Sequence, residues 1–381
     1  MSPKDATGSH GNPAPMSIGE LVRQKRVLVL CGPGGVGKTT TSAALGLAGA
    51  QAGRRVLVLT IDPARRLADA LGLALASSAP QPVPADRLRA LGLDLGEGGT
   101  GTLDAWMLDP KVVFERVIRV LGTPEQADKI LATKLFSHLS ELASGMLEYT
   151  AGEALYAFAA EGRYDLIVLD TPPSRNALDF LDAPERLSAF LEDSILKVFI
   201  PKEGSRFMAG ASRLVGNVFG RVFGDGFMTD LSVFFQAFGG LFGGMRAHSD
   251  GVAKLLASDA SAFVLVTSPD EDALREAAFF QKELARRKLP FAGFVLNRSL
   301  AKFAAWPHPS EFGHKDPAAS RAIGLLNAFA NEERAEAEKH DRQLAELRTL
   351  AGEQAIAVAA PMLLDTSDPL AGLVTLAREL T

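Results

Sequence analysis

The run Gly32-Pro33-Gly34-Gly35-Val36-Gly37-Lys38-Thr39 constrains this chain more than any other stretch. It satisfies the spacing G-x-x-x-x-G-K-[ST], follows the apolar run Arg26–Cys31 and precedes an Ala-rich helical pattern. Glycines at these positions let successive backbone N–H groups turn inward with no Cβ in the way, forming a cradle for phosphate oxygens. Lys38 supplies a point charge to β- and γ-phosphates, and the Thr39 hydroxyl is a ligand for Mg2+. The helix that starts near Lys38 points its positive end at the same anions. Gly34, Gly35, Val36, Gly37, Lys38, Thr39 and Thr40 are therefore the candidate phosphate-binding residues.

Around this loop, short apolar runs alternate with longer helical patterns. Strands are expected at Arg26–Cys31, Arg55–Thr60, Gly101–Leu108, Tyr164–Leu169, Ala262–Thr267, Phe291–Leu296 and Ala355–Ala359. Most are continuously apolar, as strands covered on both faces should be. The expected fold class is α/β, a doubly wound, mostly parallel sheet of a P-loop NTPase. Two stretches break the rhythm. Residues 110–162 are helical in pattern, with Leu131, Leu135, Leu139 and Leu142 at helical spacing, and residues 183–258 contain no clear strand. Both read as insertions that form one helical subdomain beside the sheet. Residues 300–318 read as an irregular loop, and Ala318–Leu350 as a long charged helix or helix pair.

Residues 1–17 are polar and rich in Gly, Pro and Ser, and read as a flexible tail ahead of an ATPase domain over 18–381. With no secretory signal and no apolar run of the roughly 20 residues a membrane span needs, the chain is expected to be cytoplasmic, without stable membrane insertion. Lys+Arg 40 against Asp+Glu 45 gives a net charge of −5, which argues against a nucleic-acid partner. One cysteine excludes a disulfide framework and any zinc site built from several thiolates. Cys31 reads as a small buried hydrophobe.

Two carboxylates complete the candidate site. Leu166-Ile167-Val168-Leu169-Asp170 has the form of a second nucleotide motif, a buried strand whose terminal Asp reaches Mg2+. Asp62 ends the second strand, where Pro63 at a first helical position also allows a plain N-cap role.

The segments GPGGVGKTT, TIDPARRLADALG and LDTPPSRNALDFL resemble the ArsA family of ATPases, which holds arsenite-pump and tail-anchored-protein targeting members. Met107–Pro110, Phe263–Ser268, Val295–Arg298 and Ala360–Leu364 match in family order. The resemblance implies ATP and Mg2+ as cofactors and a nucleotide-driven dimer, either a homodimer or a heterodimer with a paralogue. It implies Asp62 as the residue acting on the attacking water, and Asp62 with Thr39 and Asp170 as the metal residues. It also implies that Asn297 and the backbone near Pro361 hold adenine, although Asn297 taken alone also reads as a strand-end turn residue. The family's first loop lysine, which reaches the partner's ATP, is Pro33 here, so either Arg65, Arg66 or Arg175 replaces its charge, or unassisted turnover is slow and a partner completes the site.

Residues 190–242 contain ten of the 22 phenylalanines, interleaved with glycine. That composition suits either a flexible apolar surface for a hydrophobic client helix or an ordinary core helix pair. Three functions follow: an ATPase handling a hydrophobic protein segment, the ATPase subunit of an anion pump, or a weakly hydrolysing regulatory subunit. Lack of a cysteine cluster counts against arsenite.

Overall fold

The computed structural model describes residues 15–61, 66–73, 77–95, 101–133, 136, 144–171, 234, 237–305, 316–363 and 368–381. The elements run α1 (Ile18–Gln24), β1 (Val27–Cys31), α2 (Lys38–Gln51), β2 (Arg55–Thr60), α3 (Arg66–Leu71), β3 (Gln81–Pro82), α4 (Ala85–Ala90), β4 (Thr102–Met107), α5 (Pro110–Leu121) and α6 (Pro124–Leu131). They continue with α7 (Ser144–Glu161), β5 (Leu166–Asp170), α8 (Phe242–Leu256), β6 (Ser261–Thr267), α9 (Glu271–Arg286), β7 (Phe291–Ser299), α10 (Pro317–Ala351), β8 (Ile356–Pro361) and α11 (Pro369–Leu380).

The strands form one sheet in the order β3-β4-β2-β5-β1-β6-β7-β8. Every neighbour pair is parallel except β3 with β4. Each expected strand is present, with ends shifted by one or two residues in most. The addition is β3, two residues on the sheet edge, where a proline is tolerated because no further ladder partner is needed.

Alternate residues of each strand feed opposite cores. On β1, Val27, Val29 and Cys31 join a core with α5 to α9, while Leu28 and Leu30 join another with α1, α2 and α11. That double covering explains the unbroken apolar runs. It also leaves the carboxyl ends of the strands as the place where loops meet. Ser17 caps α1 in a capping box with Glu20.

The inserted helices pack on one another. His248 Nδ1 on α8 lies 2.9 Å from Glu153 Oε2 on α7. Gly251 lets α8 approach α7, because a Cβ there would fall 2.6 Å from the Tyr156 ring. Phe114 stacks with Phe136 at 5.8 Å and meets Phe238 at 5.8 Å, and Phe234 stacks with Phe238 at 5.0 Å. Phe234 and Phe238 are 2% and 5% exposed, so these two are core rather than client surface. The remaining candidate client side chains, with Leu135, Leu139 and Leu142, lie outside the described residues. The charged segment after residue 316 is one continuous 35-residue helix, α10. Among the described residues, no helix is long and apolar enough to cross a membrane.

Candidate functional site

The loop between β1 and α2 begins where Cys31 leaves the sheet. Gly32 has φ 145°, and a Cβ there would lie 2.0 Å from the Val266 carbonyl oxygen of β6. Gly37 ends the loop at φ 91°, with a virtual Cβ 2.2 Å from Asn297 Nδ2. Only glycine meets both demands. Gly37 is also the N-cap of α2 and supplies no side-chain cap bond, so the first turn presents its N–H groups to whatever anion the loop holds.

Lys38 is buried and folds back along the loop, its Nζ donating to the Gly32 carbonyl at 2.8 Å and the Pro33 carbonyl at 2.7 Å. Thr39 Oγ1 donates to Asp170 Oδ2 at 2.7 Å, and Thr60 Oγ1 donates to the same oxygen at 2.8 Å. The sheet arranges this meeting: β2 and β5 are adjacent, with Thr60 and Asp170 in register, and Asp170 pairs on its other side with Leu30. Thr60 and Asp170 are both fully buried. Two hydroxyls and a carboxylate thus gather beside the glycine loop. Thr171 Oγ1 donates to the Leu30 carbonyl at 2.7 Å, fixing the chain as it leaves β5. Burial pushes the Cys31 thiol up to about 12, so Cys31 stays a protonated, inert core group.

The loop floors an open cleft of about 550 Å³, lined by Gly34, Gly35, Gly37 and the first turn of α2, by Thr171, and by Arg66 and Arg298. That volume lies within the usual range for a small-molecule site. Asn297, 5% exposed, is drawn against the loop, its Nδ2 donating to the Val36 carbonyl at 2.8 Å. Pro361 ends β8 opposite Ser299 and borders a neighbouring cleft of about 350 Å³ with Lys302 and Phe303. Asp62, Arg65 and Arg175 lie outside the described residues. Among the described residues, no three His, Cys, Asp or Glu side chains cluster to form a metal cage. The oxygen set of Thr39 and Asp170 instead suits Mg2+, which commonly takes one or two protein ligands together with phosphate oxygens.

Residues 25–306 match the ArsA ATPase family, described as anion-transporting ATPases. The chain belongs to this family. Protein Rv2184c of Mycobacterium tuberculosis is 35% identical over 181 residues, 46% of this chain and 41% of that protein. Putative arsenical pump-driving ATPase 1 of Aquifex aeolicus is 30% identical over 193 residues, 47% of this chain and 44% of that protein. ATPase ASNA1 homolog 1 of Paramecium tetraurelia is 27% identical over 274 residues, 71% of this chain and 73% of that protein. The chain thus spans less than half the length of the first two relatives. Membership in this family of ATPases implies nucleotide binding.

Within this ArsA-family chain, two residues at or beside the cleft are not singled out by the sequence. Thr60 looks like any strand residue, and only the β2–β5 register brings its hydroxyl to Asp170. Arg298 follows Asn297 where the β7–β8 register shifts, and takes φ 56°. A left-handed non-glycine residue costs roughly 1–2 kcal/mol, and such strain gathers at functional sites. No local signal in the sequence announces it.

Proposed function

We propose that this chain is a Mg2+-dependent ATPase whose nucleotide cycle acts on the inserted helices to handle a hydrophobic protein segment. The observation that carries the ATPase reading is the convergence of the Thr39 and Thr60 hydroxyls on Asp170 beside the glycine loop. In this reading the loop N–H groups and Lys38 hold the β- and γ-phosphates, and Lys38 exchanges its two carbonyl acceptors for phosphate oxygens. Thr39 and Asp170 hold the metal, which when bound draws charge from the β- and γ-phosphate oxygens. Asp62 follows Ile61 at the end of the β2 segment and orients the attacking water. Asn297 and the Pro361 backbone flank the adenine, with the Asn297 amide already fixed against the loop. Two copies meet through their nucleotide edges.

The client role is carried by the ArsA-type resemblance and by the helical insert packed beside the sheet. A second reading, the ATPase subunit of an anion pump, draws on the family's description and on the Aquifex relative's name. The one cysteine, buried Cys31, disfavours arsenite as the cargo.

Calorimetric titration with Mg-ATP tests the site directly. Lys38→Ala is expected to abolish measurable binding. Asp62→Asn is expected to keep ATP bound while turnover falls by about 10²–10³-fold, as when one group stabilising the transition state is removed. Equal affinity in wild type and Lys38→Ala would overturn the phosphate-loop assignment.

A further inference from the structure

β7 loses its ladder where its two cleft residues stand. It pairs with β8 from Gly293 to Leu296, the register then shifts, and pairing resumes at Ser299 opposite Pro361. Asn297 and Arg298 lie inside that gap, Asn297 with its Nδ2 donating to the Val36 carbonyl and Arg298 left-handed beside the cleft it lines. A stretch without ladder bonds needs other anchors if it is to hold two side chains in place. Just past the gap, the Ser299 carbonyl accepts the Met362 N–H at a long 3.3 Å, and Ser299 Oγ accepts the Ala301 N–H at 3.1 Å. The Leu300 N–H between them turns away from the sheet and donates to His340 Nδ1 on α10 at 3.0 Å.

α10 makes a firm anchor. It packs on β7, on β8 and on the short turn Ala301–Phe303. Three residues after His340, Gln343 Nε2 donates to the Pro269 carbonyl at 2.9 Å, just past the end of β6. Both side chains are buried. The helix thus grips the chain beyond two neighbouring strands within one of its own turns. At the other end of the gap Asn297 has little room to drift, since a Cβ on Gly37 would fall 2.2 Å from its Nδ2. Contacts therefore run unbroken from α10 through Leu300 and the gap to the glycine loop. We infer that, with the cleft read as the nucleotide site, His340 is a positioning residue: by accepting the Leu300 N–H it fixes the turn that sets Asn297 and Arg298 against the loop.

Only the neutral imidazole can do this. A backbone N–H donates and never accepts, so Nδ1 must carry its lone pair and the ring proton sits on Nε2. Protonation would set N–H against N–H and leave a part-buried donor unpaired, a penalty equivalent to about a ten-fold change in an equilibrium constant or more. On α10, Glu336 Oε2 lies 3.7 Å from Nε2, and Lys339 precedes the histidine. The packed turn brings Lys302, whose ammonium donates to Glu379 Oε1 at 2.9 Å. The end of β7 brings Arg298, the chain after β6 brings Asp270, which caps α9, and β8 brings no charged residue. Burial lowers the His340 pKa from its ordinary 6.5, with Glu336 opposing the shift and Lys339 adding to it. The anchor is therefore intact at neutral pH and lost as pH falls through that lowered value.

Calorimetric titration of the full chain with Mg-ATP at about pH 8 and about pH 5.5 tests it, on wild type, His340→Phe and His340→Asn. Phenylalanine keeps a ring and removes the acceptor, whereas asparagine offers an oxygen near the place of Nδ1 that does not titrate. His340→Phe is expected to bind about ten-fold more weakly than wild type at the higher pH, and His340→Asn to restore most of that loss. On acidification, wild type is expected to lose about three-fold or more in affinity relative to His340→Asn. Titration of the nucleotide itself cancels in that ratio, and a merely structural role for the ring would not move it. Equal affinity in wild type and His340→Phe, or a wild-type to His340→Asn ratio that stays constant with pH, overturns the inference while the nucleotide reading stands. Should His340→Phe fail to fold, the ratio alone decides. Wild type that binds no Mg-ATP at either pH overturns the nucleotide reading, and this positioning role with it.

Discussion

Thr60→Val isolates the contact on which the nucleotide reading turns. The substitution keeps the side-chain shape at a 1% exposed position and removes the hydroxyl that donates to Asp170 Oδ2 at 2.8 Å. A hydrogen bond to a charged acceptor is worth about 1.5–3 kcal/mol, and valine is no true isostere of threonine because of that hydroxyl. The expected loss of stability is therefore about 2 kcal/mol, read as a fall of several degrees in melting temperature. Function should respond through position rather than charge, since Asp170 keeps its carboxylate and the Thr39 contact at 2.7 Å. Loss of a residue that orients a metal ligand typically costs about 10–100-fold in metal affinity. Titrating Mg2+ into the ATP-bound protein should show that weakening, while ATP affinity in EDTA stays near wild type. A drop in melting temperature with unchanged Mg2+ dependence would refute the reasoning, leaving Asp170 as a buried strand end that merely holds two neighbours.

Other expectations follow from the same geometry. Arg66→Ala and Arg298→Ala should each lower turnover about ten-fold or more with a smaller change in ATP affinity, an arginine at such a site being worth up to about 10³–10⁵; undiminished rates in both would remove them from the charge-stabilising role. Arg298→Gly separates charge from strain, since it should lose turnover while gaining stability by relieving the left-handed backbone. Phe238→Ala should destabilise by about 3–5 kcal/mol in denaturant unfolding, because its ring stacks on Phe234 and meets Phe114; a near-neutral result would return Phe238 to the surface. The Arg55 side chain and backbone N–H hold the Asp165 carboxyl down at about 2 against its ordinary 3.8. Its stabilisation is thus complete above about pH 4 and lost as pH falls toward 2, and for so exposed a pair it amounts to no more than about 1 kcal/mol. Asp165→Asn should flatten acid unfolding in that window, and an unchanged acid limb would count against the pairing.

The sheet was legible because burial on both faces writes itself as uninterrupted apolar runs, and the glycine loop because its spacing is chemically exacting. Residues 317–351 were legible as helical but not as one helix, since nothing local distinguishes a 35-residue helix from two halves that differ in charge. The convergence on Asp170 was half legible. Thr39 and Asp170 are read from motifs, but Thr60 reaches the site only through a register between strands separated by more than a hundred residues of chain. Phe234 and Phe238 show the opposite difficulty. A Phe/Gly-rich segment reads alike as client surface or as core, and only the rings of Phe114 and Phe136 decide it for these two residues.

Proline at position 33 defines what the flanking cations have to do. Pro33 is buried, and its carbonyl accepts Lys38 Nζ at 2.7 Å, so it retains the part of the loop that steers the lysine. It carries neither a charge nor an N–H that could reach a neighbouring subunit's nucleotide. Charge that develops on a transferring phosphoryl group must therefore be met from elsewhere. In the sheet order β2-β5-β1-β6-β7, Arg66 follows β2 and Arg298 lies at the end of β7, two strands to either side of the strand that feeds the loop. Both line the cleft with Lys38. Cations on both flanks of a phosphate cradle can act without a residue from a second chain.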